Sequence, residues 1–221
     1  MRFMKNRTII FVLISVILLC FVSCSTEQKA ETNIVVAYIN GEAITSRETE
    51  FFKTRDRADI INMFSQKYGI TDFSDFWDKD FDGTTPSQVL EKTAFEDACE
   101  AKIRLILMRE KGIYDDISFD ALEAKALAYN EEHKGQKNTV GINSIDMSQF
   151  YTYYISNGDM ELKNILGESE LKPTDDEIKA YIAHKDEMSE SSAVSALVDK
   201  KYEDYISDLI KNATIKKAEN S

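Results

Sequence analysis

Apolar positions along the chain fall into two regimes. Residues 9–22 are almost wholly apolar behind a basic start at Arg2, Lys5 and Arg7, whereas from Ile34 onward apolar residues are spaced among polar ones. The spacing is first that of strands and then that of helices. Residues 34–39 and 43–44 predict two short extended pieces that turn at Asn40-Gly41, a dipeptide that accepts the positive φ of a tight hairpin. Phe51, Phe52, Ile60, Ile61 and Phe64 then mark one face of a helix. Thr45 and Glu48 read as its capping box, and Lys67-Tyr68-Gly69 as its end. Residues 71–82 are acidic and aromatic and predict a short helix and a loop.

The clearest start signal follows: Thr85 as N-cap, Pro86 at the first helical position and Gln88 completing the box. A long helix to Lys111 is expected, stopped at Gly112. Leu90, Ala94, Ala98, Ala101, Leu105 and Met108 form one stripe, with Phe95, Cys99, Ile103 and Ile106 beside it, so this helix should be central. Ser118 caps a further helix that closes at His133-Lys134-Gly135, and residues 136–143 read as a loop. From Ser144 the helical pattern resumes through Met147, Phe150, Tyr151, Tyr154, Leu162 and Leu166, with an interruption expected at Asn157-Gly158. Thr174 and Glu177 box a helix over residues 175–185, residues 189–192 read as a polar hinge, and a last helix carries Leu197, Tyr202, Tyr205, Ile206, Leu209 and Ile210.

The apolar run at the start is shorter than the roughly 20 residues that span a bilayer, and it ends at Phe21-Val22-Ser23-Cys24. That resembles a cleaved bacterial lipoprotein leader, with Phe in place of the usual Leu; the alternative is an uncleaved signal anchor, against which the short core ending at Ser-Cys argues. The expectation is removal of residues 1–23, lipidation of Cys24 and a polar tether to residue 33. Loss of the leader removes three positive charges and no negative ones, taking the formal net charge from −12 to −15. Such a chain is repelled by nucleic-acid phosphate and by anionic headgroups, which excludes a nucleic-acid partner and leaves the anchor as its membrane contact.

Candidate chemistry is sparse. Cys20 leaves with the leader and Cys24 carries lipid, so Cys99 alone remains for the folded part and reads as a small buried residue. His133 and His184 stand in no Cys/His catalytic signature. Asp78-Lys79-Asp80-Phe81-Asp82-Gly83 matches the first half of a calcium loop, but its twelfth position is Val89 where a bidentate Glu is needed. No cofactor or metal is assigned.

Several segments resemble, in order, the extracytoplasmic SurA/PrsA-type foldases. They are Val36-Ala37-Tyr38-Ile39-Asn40-Gly41-Glu42-Ala43-Ile44-Thr45; Phe76-Trp77 with Asp82-Gly83-Thr84-Thr85-Pro86; Leu107-Met108-Arg109-Glu110-Lys111-Gly112-Ile113; and Leu171-Lys172-Pro173-Thr174-Asp175-Asp176-Glu177-Ile178-Lys179-Ala180-Tyr181. In that family the last of these leads into a parvulin isomerase domain of about 90 to 100 residues, the size of a small independent domain. Here only residues 182–199 intervene before Lys200-Lys201-Tyr202-Glu203-Asp204-Tyr205-Ile206-Ser207-Asp208-Leu209-Ile210, which is similar to the family's closing helix. The resemblance therefore implies the helical chaperone domain without the catalytic one.

The expected fold is mainly α, a SurA-N/PrsA-like helical domain with a small β element in which Ala213-Thr214-Ile215-Lys216 pairs with residues 34–39. The expected divisions are 1–23 leader, 24–33 lipidated cysteine and tether, 34–187 helical domain, and 188–221 closing helix and strand of the same domain. Large adaptable apolar groups, Met63 and Tyr153 among them, suit a cradle for unfolded or exported polypeptides. The peptide-binding candidates are Phe73, Phe76, Trp77, Met147, Phe150, Tyr151 and Tyr154. Helical spacing of aromatics equally suits a core. Three functions follow in order: a lipid-anchored chaperone-like protein, a lipoprotein dedicated to one partner or to scaffolding, and an isomerase relative with residual activity.

Overall fold

Asn40 and Gly41, at φ 49° and 90°, reverse the chain between strands β1 (Val35–Ile39) and β2 (Glu42–Thr45). In this computed structural model, residues 33–134, 144–183 and 188–219 are described. The leader, Cys24, the tether to residue 32, the 136–143 loop and His184 lie outside them. Strand β3 (Ile215–Lys217) adds to the other side of β1, giving one antiparallel sheet in the order β2-β1-β3. The pairing of the C-terminal strand with residues 34–39 is as expected, though the strand is Ile215–Lys217 and not 213–216: Ile39 faces Ile215, Tyr38 faces Lys216 and Ala37 faces Lys217. Asn40 secures this return twice: its N–H donates to Thr214 O at 2.9 Å and its Oδ1 accepts the Thr214 N–H at 2.8 Å.

Six helices make up the rest of the described chain: α1 (Ser46–Tyr68), α2 (Pro86–Glu110), α3 (Phe119–His133), α4 (Met147–Gly167), α5 (Asp175–Ile182) and α6 (Glu190–Lys211). The fold is mainly helical with a small three-stranded sheet. Helix α2 is central, packing on α1, α4, α6 and the sheet. Its predicted stripe from Leu90 to Met108 is buried throughout. Three alanines in that stripe, Ala94, Ala98 and Ala101, place little bulk between α2 and its neighbours. Each fully buried large aliphatic such as Ile39, Leu162 or Leu166 contributes about 1.5–3 kcal/mol.

Four local expectations are corrected. The box at Thr45 is half formed: Thr45 Oγ1 accepts the Glu48 N–H at 3.3 Å, but the Glu48 carboxylate is drawn inward to Lys102 Nζ at 3.0 Å. Helix α4 begins at Met147, three residues after Ser144, behind a full box between Asp146 and Gln149. It also runs unbroken through Asn157-Gly158, because Gly158 serves close packing and not a turn. Residues 189–192 are not a hinge: Ser189 is the N-cap of α6, and its Oγ accepts the Ser192 N–H at 3.2 Å.

Between α1 and α2 the chain makes a single 3-10 turn, Phe76–Asp78, and a tight bridge from Phe81 to Thr84. Asp80 Oδ1 there accepts the Gly83 N–H at 3.0 Å, and Val89 lies inside α2, so the calcium-like half-motif ends as a capped turn.

Candidate functional site

The seven sequence candidates do not converge on one surface. Phe76 and Trp77 belong to a small outlying cluster in which Ile60, Phe64, Phe81 and Leu90 are buried, and Phe73 lies at its edge. Phe76 is its centre at 2% exposure, with Phe73 edge-on at 5.5 Å and Trp77 at 5.0 Å between ring centroids. The Arg57 guanidinium lies 4.1 Å over the Trp77 ring. Phe73 alone of the seven is largely exposed, at 48%.

The other four lie in or against the main core, with Met147 half-buried at its edge. Tyr151 packs between Phe51 and Phe52, with Arg55 4.7 Å over its ring. Tyr154 stacks on Tyr114 at 4.0 Å, and the Tyr114 hydroxyl donates to Tyr154 O at 2.8 Å. Phe76, Phe150, Tyr151 and Tyr154 are therefore core residues and offer no open binding surface; their stripe positions on short-looped helices turn them inward.

Open apolar surface lies elsewhere. On α4, Tyr153 is 56% and Met160 61% exposed. A cleft of about 560 Å³ between α3 and α4 is lined by Tyr129, Ile145, Ser148, Gln149, Thr152 and Tyr153. Asn130 holds its base, donating from Nδ2 to Ile145 O at 2.9 Å and accepting the Ile145 N–H at 2.8 Å. A second cleft, about 690 Å³, lies between α4 and α6, with Met160 and Asn164 on one wall and Val194 and Ser195 on the other.

A third, polar recess contains Arg55, Asp97, Glu100, Arg104, Tyr151 and Glu203. Arg104 is shared by Glu100 at 2.9 Å, Asp159 at 3.2 Å and Glu203 at 3.4 Å, joining α2, α4 and α6. Beside it, burial and then the Asp97 charge push the Asp56 carboxyl up to about 6, against the pull of Arg55. Asp97 is raised as well, first by burial and then by Glu100. Asp56 Oδ2 is buried without a hydrogen-bond partner.

Burial pushes the Cys99 thiol up to about 11, removing it as a nucleophile. His133 Nδ1 is 2.7 Å from Tyr129 O, and its ring stacks on Tyr129 at 4.1 Å. Among the described residues, no group of three or more His, Cys, Asp or Glu side chains could hold a metal ion, and no helix is long and apolar enough to cross a membrane.

The sequence reading missed the ion pair between Glu48 and Lys102, each 2% exposed, whose ammonium also donates to Ile117 O at 3.4 Å. Sequence reading listed Tyr153 among adaptable groups, but not as the most open aromatic of α4, since neighbouring tyrosines differ only by a rotation about the helix axis. No family model matches the chain, and no curated protein matches it.

Proposed function

We propose that this chain is a membrane-anchored, extracytoplasmic chaperone- or foldase-like protein that binds unfolded or exported polypeptides and carries no isomerase domain of its own. One observation carries the reading. The segments that resemble the foldases, from residues 36–45 to 200–210, lie in one body whose last strand pairs with its first, with α5 and α6 following one another in the place of an inserted domain. Exposed Phe73, Tyr153 and Met160 supply apolar contact on a strongly acidic molecule that stays soluble around them.

The test is suppression of aggregation by the full chain held in lipid nanodiscs, using several unrelated unfolded proteins at stoichiometric amounts. Protection of most of them is expected; protection of none defeats the reading. A lipoprotein dedicated to one partner is the second reading, favoured by the burial of Phe76, Phe150, Tyr151 and Tyr154, which narrows the surface left for varied clients. Protection of a single client would select it.

Anchoring is tested separately. Replacing Cys24→Ser is expected to abolish metabolic labelling by an alkynyl fatty acid and to release the chain from the membrane fraction, because a diacylglyceryl group gives the lasting attachment that one acyl chain does not. Unchanged labelling would overturn Cys24 as the lipidated residue.

A further inference from the structure

We propose that the outward face of α4 seats an extended polypeptide segment of about seven residues bearing apolar and basic side chains; this rests on the polypeptide-binding reading and gives it a place. Gln149, Thr152, Tyr153, Ser156, Met160 and Asn164 recur at helical spacing on that face and are all exposed. None is charged, on a chain in which 30% of residues are. Asp159 and Lys163, which line the α4/α6 cleft beside these residues, are already engaged. Asp159 accepts from Arg104 at 3.2 Å and from the Tyr202 hydroxyl, and Lys163 holds Asp199 at 2.9 Å.

Both clefts open on this one face: the α3/α4 cleft is mainly apolar, whereas the α4/α6 cleft is mixed, with Asp159, Lys163, Glu168 and Asp199 in its lining. The α3/α4 cleft takes Gln149, Thr152 and Tyr153; the α4/α6 cleft takes Ser156, Met160 and Asn164. The two helices run antiparallel, Asp159 meeting Tyr202 and Gly167 meeting Val198. At Gly167 a methyl group would come 3.1 Å from a Val198 methyl, so the absent side chain lets α6 close the far end of the second cleft. From Ser148 to Asn164 the face is about 24 Å long at 1.5 Å per residue. An extended chain at about 3.3 Å per residue covers it with about seven residues.

Charge selects the occupant. Exposed Asp146, Glu161 and Glu168 lie at the ends and flank of the strip. Lysine or arginine side chains from a bound segment reach such carboxylates, while its apolar side chains meet Tyr153 and Met160. An acidic segment is repelled. A second copy of this chain is disfavoured for the same reason, since it would bring two net charges of −12 and two acidic margins together. Met160 and Tyr153 suit a variable partner: the thioether adapts its shape, and the phenol offers a large contact area for two rotatable bonds.

The experiment uses the full chain in phosphatidylcholine nanodiscs, empty discs as the blank, and a dye-labelled heptapeptide alternating phenylalanine and lysine. Saturable binding is expected, weakened at least tenfold when glutamate replaces lysine in the peptide or when the protein carries Tyr153→Asp or Met160→Asp. Leu127→Glu, an equally exposed apolar position that lines neither cleft, is expected to leave binding unchanged. Circular dichroism and melting temperature verify that the variants are folded. If Tyr153→Asp and Met160→Asp bind the peptide and suppress aggregation like the parent, the strip is overturned while the polypeptide-binding reading stands. If the parent neither binds the peptide nor suppresses aggregation, both fall. If sedimentation shows a dimer that Tyr153→Asp dissociates, the strip is a self-interface and the proposal is overturned.

Discussion

Glu48 and Lys102 face each other at 3.0 Å within the core, and Glu48 Oε2 has no hydrogen-bond partner. Burial pushes the Glu48 carboxyl up while the Lys102 charge pulls it back, so Lys102 is what favours the carboxylate form there. Glu48→Gln leaves a buried ammonium uncompensated and is expected to lower unfolding free energy by about 3–5 kcal/mol in urea titration. Glu48→Leu with Lys102→Met should recover most of that loss, because two apolar groups owe no desolvation. Two single-variant losses that simply add would defeat the coupling. Asp56, like Glu48, is raised by burial, and it adds a pH dependence of the same sign. Its folded value of about 6 lies above the ordinary 3.8, so its contribution is fully present below about pH 4 and is lost as pH rises through 6. Asp97 is raised too and acts in the same direction. Glu170 and Glu177, held down to about 2 by Lys111 and Lys201, titrate below this window. Urea midpoints should therefore fall between pH 4.5 and 7, and Asp56→Asn should flatten that slope; an unchanged slope would assign it to other groups.

At the level of elements, α4 illustrates how one glycine can be misjudged. A methyl at Gly158 would lie 2.5 Å from Met108 Sδ, 2.6 Å from Met108 Cε and 3.0 Å from Tyr114 Cε2, and Met108 is fully buried with nowhere to retreat. Alanine in a helix gains about 1 kcal/mol over glycine, whereas overpacking a filled core costs about 1–3. Gly158→Ala is expected to destabilise by up to about 2 kcal/mol in denaturant titration, and to cost less in a Met108→Ala background, where only Tyr114 remains close. Helix starts were legible because caps are local. Thr85 with Gln88 and Thr174 with Glu177 close both bonds of their boxes as the sequence indicates. Glu48 has the same spacing from Thr45, yet its carboxylate serves a lysine 54 positions away. Nothing nearby in sequence marks that choice. Gly158 failed for a similar reason: a glycine needed for a turn and one needed for close approach look alike until the neighbouring helix is in place.

For the molecule as a whole, the return of β3 to β1 was legible because a short apolar-containing strand after a terminal helix has few other unpaired edges to join. The candidate surface was not, since composition counts aromatics without saying which way each helix turns. Phe150, Tyr151 and Tyr154 point inward, and Tyr153, between two of them, points out. The closing of the sheet has a mechanical side. Ala37 lies opposite Lys217, and Ala218 N–H donates to Val36 O, so the chain enters and leaves the body at the same end of an antiparallel ladder. Tension between the two ends acts across that ladder and opens its bonds one after another, starting from Val36 and Ala218. Tension along β1 from the opposite end would instead load all of them at once. In optical tweezers, handles at residue 33 and the C-terminus should therefore detach β3 and α6 at low force in a separate early step, before the α1–α2 core yields. A body held by one end to a surface and gripped by the other would thus give way first at its seam and keep its centre intact.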